Sequence, residues 1–490
     1  MSKSVIIIGA GFAGLSAAAF MAKAGWAVTV LEKNDTAGGR AKQLKAKGFT
    51  FDMGPSWYWM PDVFERFFNQ FGKKVSDYYT LHRLNPSYRV YWPKSFSDIP
   101  ADYDMLRNLF EEIEPGSSKQ LDQYLAEALV KYKIGIKDLV YKPGQSVSEF
   151  LNWNVIKNVF KLDVFTSIKT HVAKHFKSEK LRQLMEFPVL FLGAMPGNTP
   201  ALYSLMNYAD IVGGTWYPQN GMYSIVEAMK NLAEEQGATF RFNEDVQQIV
   251  IENGRAQKVV TATHVFSADV VISGADYHFT ETNLLPPEYR SYSEHYWKKK
   301  LLAPSCLMYY VGLNKKLDNL LHHSLFFDVP FHQHANEIYT DPQWPSNPLF
   351  YLSVSSKTDE MAAPAGCENL VFLIPIASGL KDDSEEIREL YFQKIIKRLE
   401  HHTGHSITDA IIYKQTFSVS DFESHYNSYK GNAYGLANVL SQTAIRRPSC
   451  KSKKVKNLFY TGQFTVPGPG VPPSLISGEV VSGQVLKYFK

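Results

Sequence analysis

Three glycines near the amino end, Gly9, Gly11 and Gly14, stand in the order G-x-G-x-x-G, and Glu32 follows about 20 residues on. This is the chemistry of a dinucleotide pocket. Gly9 permits a tight turn, Gly11 lets the backbone approach a diphosphate, and Gly14 lets a helix pack against a strand. A helix starting there turns free N–H groups and a positive dipole end toward the phosphates. Glu32 can accept both hydroxyls of a ribose. The pattern serves NAD and FAD alike. Gly38-Gly39-Arg40 comes just after the acid, so Arg40 can return to the diphosphate as a charge-assisted donor; otherwise it is a solvated side chain in a plain turn.

Two further loops carry related chemistry. In the stretch 51–57, Phe-Asp-Met-Gly-Pro-Ser-Trp, Gly54 and Ser56 offer backbone and hydroxyl contacts to a flavin ring; the plainer reading is a turn capped by Asp52. Gly462-Gln463 and the Gly/Pro stretch 468–473 open the last helix. The dipole of such a helix can stabilise the negative charge that a flavin gains on taking up a hydride. Proline is compatible with a first helical turn, where its missing N–H would be unpaired anyway.

The elements that must hold these residues are visible around them. A β-branched run predicts a strand over 4–8, an Ala/Met-rich run a helix over 15–24 ending at Gly25, and a second apolar run a strand over 27–31. Residues from about 58 to 220 read as mainly helical, with helices at 61–71 and 178–187. Beyond the breaks at Gly213-Gly214 and Asn220-Gly221, the pattern gives a helix over 222–235 and strands over 239–242, 246–252, 258–260 and 269–273. Residues 290–445 mix strands (307–312, 370–375) with a helix at 384–401. The chain ends with a strand over 458–461, a loop over 462–473 and a helix over 474–488. The fold class expected is α/β (α+β), a discontinuous Rossmann-type nucleotide-binding domain over 1–75, 221–285 and 450–490. A mixed sheet/helix substrate domain, 76–220 and 286–449, is inserted into it.

Composition narrows the function classes. The chain has 490 residues, 45% hydrophobic, with 52 Lys and Arg against 48 Asp and Glu, a net charge of +4. That excludes a disordered chain and is too mild for a dedicated nucleic-acid binder, so no nucleic acid is expected. The 31 Phe, 28 Tyr and 8 Trp suit a large apolar cavity or a membrane-facing surface, and equally a well-filled core. The aromatic segment 57–61 fits a tunnel mouth or the core alike. Cys306, Cys367 and Cys450 form no C-x-x-C pair, which fits a reducing compartment and argues against a cysteine metal site. His171 and His175 stand at i, i+4 without the Glu of H-E-x-x-H, so no metal is expected. His322-His323 and His401-His402 read as surface pairs. The basic run Arg446-Arg447 with 451–456 reads as a solvated loop, with anionic lipid headgroups as the alternative. The apolar stretch behind Lys3 is broken by glycines and lacks a cleavage signature, and no spanning helix is expected. Any membrane contact would lie on the surface.

Taken together, the order of G-x-G-x-x-G, Glu32, Gly-Gly-Arg, the 51–57 loop and the Gly/Pro loop before a last helix resembles the flavin amine oxidase-like superfamily. Within it, the chain resembles the bacterial-type phytoene (carotenoid) desaturases over nearly its whole length. Leu181-Arg-Gln-Leu-Met-Glu-Phe187, Pro200-Ala-Leu-Tyr-Ser-Leu205, Trp216-Tyr-Pro-Gln-Asn-Gly-Met-Tyr223 and Phe459-Tyr-Thr-Gly462 add to the likeness. The resemblance implies bound FAD and hydride transfer to it from a long polyene, with phytoene preferred. A later step, such as 3,4-desaturation of a hydroxylated carotene, or a related isomerase or saturase, is the alternative. A flavin amine oxidase and a non-enzymatic prenyl-lipid carrier are more distant ones. It implies Gly9, Gly11, Ala13 and Gly14 at the pyrophosphate, Glu32 at the adenosine ribose, Arg40 at the phosphates and the Val246 backbone at adenine. Gly462, Gln463 and Val471 fall near the ribityl chain and ring. Phe12, Lys33, Gly39, Gly54, Pro55, Ser56, Trp57, Gly470 and Pro472 complete the expected cofactor set. Gln463 departs from the acid that many flavin oxidases carry there. The resemblance also implies a protein peripheral to the cytoplasmic side of the cell membrane, with a quinone or oxygen as electron acceptor.

Overall fold

The computed structural model describes residues 3–150, 162–191 and 193–489. Its organising element is a five-stranded parallel sheet drawn from distant parts of the chain. The strands lie in the order Leu458–Tyr460, Val270–Ser273, Ser4–Ile8, Ala27–Leu31 and Thr239–Arg241. Side chains alternate across a strand, so Val5 and Ile7 enter one core cluster while Ile6 and Ile8 enter another. On the first face the helix Phe12–Lys23 packs between Val471–Tyr488 and Tyr223–Glu235. The other face is covered by an antiparallel meander, Val246–Glu252, Arg255–Thr261 and Val265–Ser267. The result is a Rossmann-type layer closed by segments hundreds of residues apart.

A seven-stranded mixed sheet forms the second body. Its order is Ile411–Phe417, Ser305–Leu313, Glu368–Ile376, Phe350–Ser353, His323–Phe326, Tyr88–Trp92 and Ser95–Ile99. Both faces are buried, which explains the apolar runs of its central strands. One face carries Leu307, Tyr309 and Phe372, which pack with Tyr391, Phe392 and Ile395 of the helix Glu385–Thr403. The opposite face carries Met308, Leu373 and Tyr351, which are paired in register across three adjacent strands.

The stretch 58–220 is mainly helical among its described residues, as expected, but it also carries four strands that the expectation omitted. Tyr88–Trp92 and Ser95–Ile99 complete the large sheet, the first pairing parallel to His323–Phe326, and Leu81–Arg83 pairs with Trp216–Pro218. The alternation in Tyr88-Arg-Val-Tyr-Trp92 carried that signal. The last helix starts at Val471 rather than 474, because two prolines fit its first turn.

Candidate functional site

One cavity runs along the carboxyl ends of the parallel strands, as open α/β sheets favour. Every residue of the expected cofactor set lines it: Gly9, Gly11, Phe12, Ala13, Gly14, Glu32, Lys33, Gly39, Arg40, the loop 54–57, Val246, Gly462, Gln463, Gly470, Val471 and Pro472.

The glycines divide by role. Gly9 has φ +93°, a left-handed conformation that favours glycine. A Cβ on Gly14 would lie 2.0 Å from the Gly9 carbonyl oxygen, so helix–strand packing demands this glycine. A Cβ on Gly11 would meet nothing nearer than the Gly39 Cα at 4.0 Å. Protein packing does not require Gly11, and its open face is what a close ligand backbone contact uses. Gly54 is different again: a Cβ there would sit 2.1 Å from the Arg40 carbonyl oxygen, so packing against the Arg40 backbone accounts for it.

Polar groups are placed at the same end. The Glu32 carboxylate, buried at the end of its strand, accepts from Ala10 N–H at 2.8 Å and from the Asn34 backbone and side chain at 3.0 and 2.7 Å. Glu244 N–H donates to the Glu32 carbonyl, which ties Glu32 to the strand that Val246 opens. The first helix begins at Gly11 with no side-chain cap and no acid in its first turn, so its early N–H groups face the cavity. Arg40 reaches across to Ser428 Oγ at 3.0 Å and lies over the Tyr426 ring, while its Nε, buried, has no partner. Burial pushes the guanidinium pKa down, and nearby Asp276 pulls it back up. An unspent guanidinium N–H beside an uncapped helix start is the donor set a diphosphate takes.

At the far end, Gly462 N–H donates to Ser477 Oγ at 3.0 Å. The last helix has Gly470 at its cap with no side-chain bond, and Pro472 and Pro473 bring no N–H. Val471 therefore carries the free N–H of that terminus, since Ser474 N–H bonds the Gly470 carbonyl. Gln463 Nε2 donates to Asn432 Oδ1 at 3.3 Å.

Beyond this polar half the cavity opens into an apolar chamber walled by Trp57, Trp59, Phe187, Met308 and Leu373. Behind the wall, Trp59 donates to Thr215, Thr215 to Asp210, and Tyr88 to the other Asp210 oxygen. Burial lifts the Asp210 carboxyl pKa to about 7. Trp57 stacks on His323 with centroids 4.3 Å apart.

Several residues of this region carried no sequence signal. Asp276 caps a short turn with its side chain and lines the cavity beside Arg40. Tyr351 and His323 meet through strand pairing that no local motif encodes. Three expectations are corrected. His322 and His323 are buried, not on the surface, because His323 opens a strand covered on both faces and His322 directly precedes it. His402 is half-buried against Asp328 and Tyr91, although His401 is exposed. Arg447 is buried, donating to Asn438, whereas Lys453, Lys454 and Lys456 are exposed as a solvated run requires. Glu127 joins His171 and His175 with ligand atoms within 4.8 Å, but the buried Lys131 ammonium lies 3.3 Å from His171 and bonds Asp163.

The chain from 12 to 486 matches the family of flavin-containing amine oxidoreductases. It is 40% identical to a carotenoid 3,4-desaturase of Haloarcula japonica, with 97% of both chains covered. It is 30% identical to the zeta-carotene-forming phytoene desaturase of Myxococcus xanthus, over 99% of this chain and 94% of that one. Among solved structures, an oxidoreductase from Methanosarcina mazei superposes with a TM-score of 0.64 at 16% identity, covering 98% of this chain and all of the other.

Proposed function

We propose, from the premise that this chain belongs to the flavin-containing amine oxidoreductase family and within it to the carotenoid desaturases, that it oxidises a C40 polyene in a chamber continuous with its FAD site. The observation that carries this reading is the single cavity in which Glu32, Arg40 and the fingerprint glycines lead into an aromatic, apolar wall. FAD, when bound, supplies the chemistry by accepting a hydride from the polyene. The residues of the chain hold the reactants. Gly11 and the N–H groups that follow it take the pyrophosphate, together with Arg40. Glu32 takes the ribose, and the Val246 backbone takes adenine. The loop 54–57 and Val471 N–H border the ring, and Phe12, Ala13, Lys33, Gly39, Gly462, Gln463, Gly470 and Pro472 complete the enclosure. The segments 1–75, 221–285 and 450–490 form the cofactor domain, and all three contribute strands to the parallel sheet. The remainder forms the substrate domain.

Trp57, Trp59, Phe187, Met308 and Leu373 offer a polyene flat apolar surface and keep water from it. They offer a small cationic amine no counter-charge, which weighs against an amine substrate. The 30% identical relatives act on phytoene or diapophytoene by their names, whereas the 40% identical relative is a 3,4-desaturase. That difference favours a later, end-group step as the second reading. A polyene substrate dissolves in lipid, so the protein works at the cytoplasmic membrane surface and passes electrons to a quinone or oxygen. Among the described residues, no helix is long and apolar enough to cross a membrane. Expression in pigment-forming hosts holding phytoene or hydroxylated carotenes, followed by pigment analysis, tests the reading. Unchanged pigment in every host sinks it.

A further inference from the structure

The strands His323–Phe326 and Phe350–Ser353 pair Leu325 with Tyr351 and His323 with Ser353. His323 and Tyr351 therefore stand diagonally on one sheet face, the face that lines the chamber. The Tyr351 hydroxyl lies 2.6 Å from His323 Nδ1. The imidazole is held flat against Trp57 at an interplanar angle of 12°. The Ser56 and Ser353 hydroxyls lie beside the same phenol. Tyr351 and Ser56 both line the cavity, and His323 Nε2 is buried without a partner.

Such a cluster is costly in an apolar wall. A buried donor or acceptor left unsatisfied costs free energy, and a hydrocarbon chain offers it nothing. Burial, and then the neighbouring His322, pull the proton affinity of His323 far below the ordinary imidazole range. The ring is neutral and serves as a hydrogen-bonding partner rather than as a store for a proton. Whichever of the two carries the shared proton, the phenol keeps further hydrogen-bonding capacity, as acceptor if it donates to Nδ1 and as donor if it accepts from it. Rigid packing under Trp57 fixes the direction of the imidazole.

We propose that Tyr351, positioned by His323 and flanked by Ser56, is a subsite that binds a hydroxyl on the polyene, at the end of the chamber where the 54–57 loop meets the large sheet. This rests on the carotenoid-desaturase reading and assigns residues to its later-step form, in which the polyene carries an end hydroxyl. A site built to bond a substrate hydroxyl discriminates against the analogue lacking it far more strongly than an apolar pocket discriminates by size.

The test compares FAD-loaded wild type, Tyr351→Phe and Ser56→Ala on a hydroxylated C40 polyene and its deoxy counterpart, presented in liposomes. Product spectra give kcat/KM, and flavin difference spectra give binding. Wild type is expected to prefer the hydroxylated polyene by tenfold or more. In Tyr351→Phe that preference falls about tenfold with FAD content retained, and in Ser56→Ala, compared at equal FAD occupancy, it falls less. A wild type without preference, or a preference unmoved in both variants, overturns the subsite while leaving the desaturase reading standing. A wild type that oxidises neither polyene overturns that reading and the subsite with it.

Discussion

The carbonyl oxygen of Gly9 stands where a side chain on Gly14 would begin, 2.0 Å from the position of its Cβ, whereas Gly11 between them faces open space. The two glycines therefore answer to different pressures. Gly14→Ala should destabilise the protein by about 1–3 kcal/mol even without flavin, because strand and helix must separate. Gly11→Ala should leave the melting temperature of flavin-free protein nearly unchanged and still lower FAD retention. Thermal melts with and without added FAD separate the two; equal behaviour of the variants would contradict the division.

Glu32 and Arg40 are expected to matter in distinguishable ways. Glu32 already accepts three hydrogen bonds from the turn around it. Glu32→Ala should lose both fold stability and FAD, since the buried Ala10 N–H and the half-buried N–H groups of Asn34 lose their acceptor. Arg40→Ala removes a half-buried charge whose buried Nε is unspent, so FAD retention should fall tenfold or more with little loss of apoprotein stability. Arg40→Lys should not restore it, because an ammonium lacks the planar fork. Normal flavin occupancy in both alanine variants would remove these assignments.

What could be read from sequence was local. The stretch 4–32 encodes strand, turn, helix, strand and acid within one contiguous unit, and each boundary lies within a few residues of expectation. The chamber could not be read in this way. Tyr351 reaches His323 through the pairing of two short strands, and Met308, Leu373 and Tyr351 form one row by long-range register. The His322-His323 pair reads as polar by residue type, but its apolar flanks, Leu320, Leu325 and Phe326, carry it into the interior. Asp276 follows a strand by only three residues, with no motif to mark it.

Asp210 gives the protein a pH signature. Burial holds its carboxyl at about 7 in the fold, above the ordinary 3.8, so the folded state binds its proton more tightly than the unfolded chain. Stability from this group is present below about pH 4 and is lost as pH rises toward 7, by at most about 1.4 kcal/mol per pH unit. Glu186, lifted to about 7 by burial, acts in the same direction. Buried neutral histidines such as His322, His323 and His334 act in the opposite direction, adding stability as pH rises toward 6.5. The signature of Asp210 is therefore a difference: between pH 5 and 7.5 the melting temperature of wild type should fall progressively relative to that of Asp210→Asn. A gap between the two that stays constant, or moves the other way with rising pH, would contradict the sign.

Leu301, Leu440 and Ile445 are 54%, 39% and 41% exposed. They are drawn together because Gln442 bonds the Leu301 backbone and Arg446 bonds the Leu440 carbonyl. Lys300 Nζ donates to the Arg446 carbonyl, which sets cationic groups at the rim of the apolar patch. Leucine and isoleucine side chains entering a bilayer, with lysine and arginine near the headgroups, would hold the protein on an anionic membrane. Replacing all three apolar residues by Asp should lower co-sedimentation with vesicles containing phosphatidylglycerol about tenfold or more. Activity toward polyene supplied in detergent micelles should fall much less, because the patch lies apart from the fingerprint glycines and Arg40. High salt should weaken wild-type binding only in part, since the apolar contribution is not screened. Unchanged vesicle binding by the triple variant would place the membrane contact elsewhere on the surface.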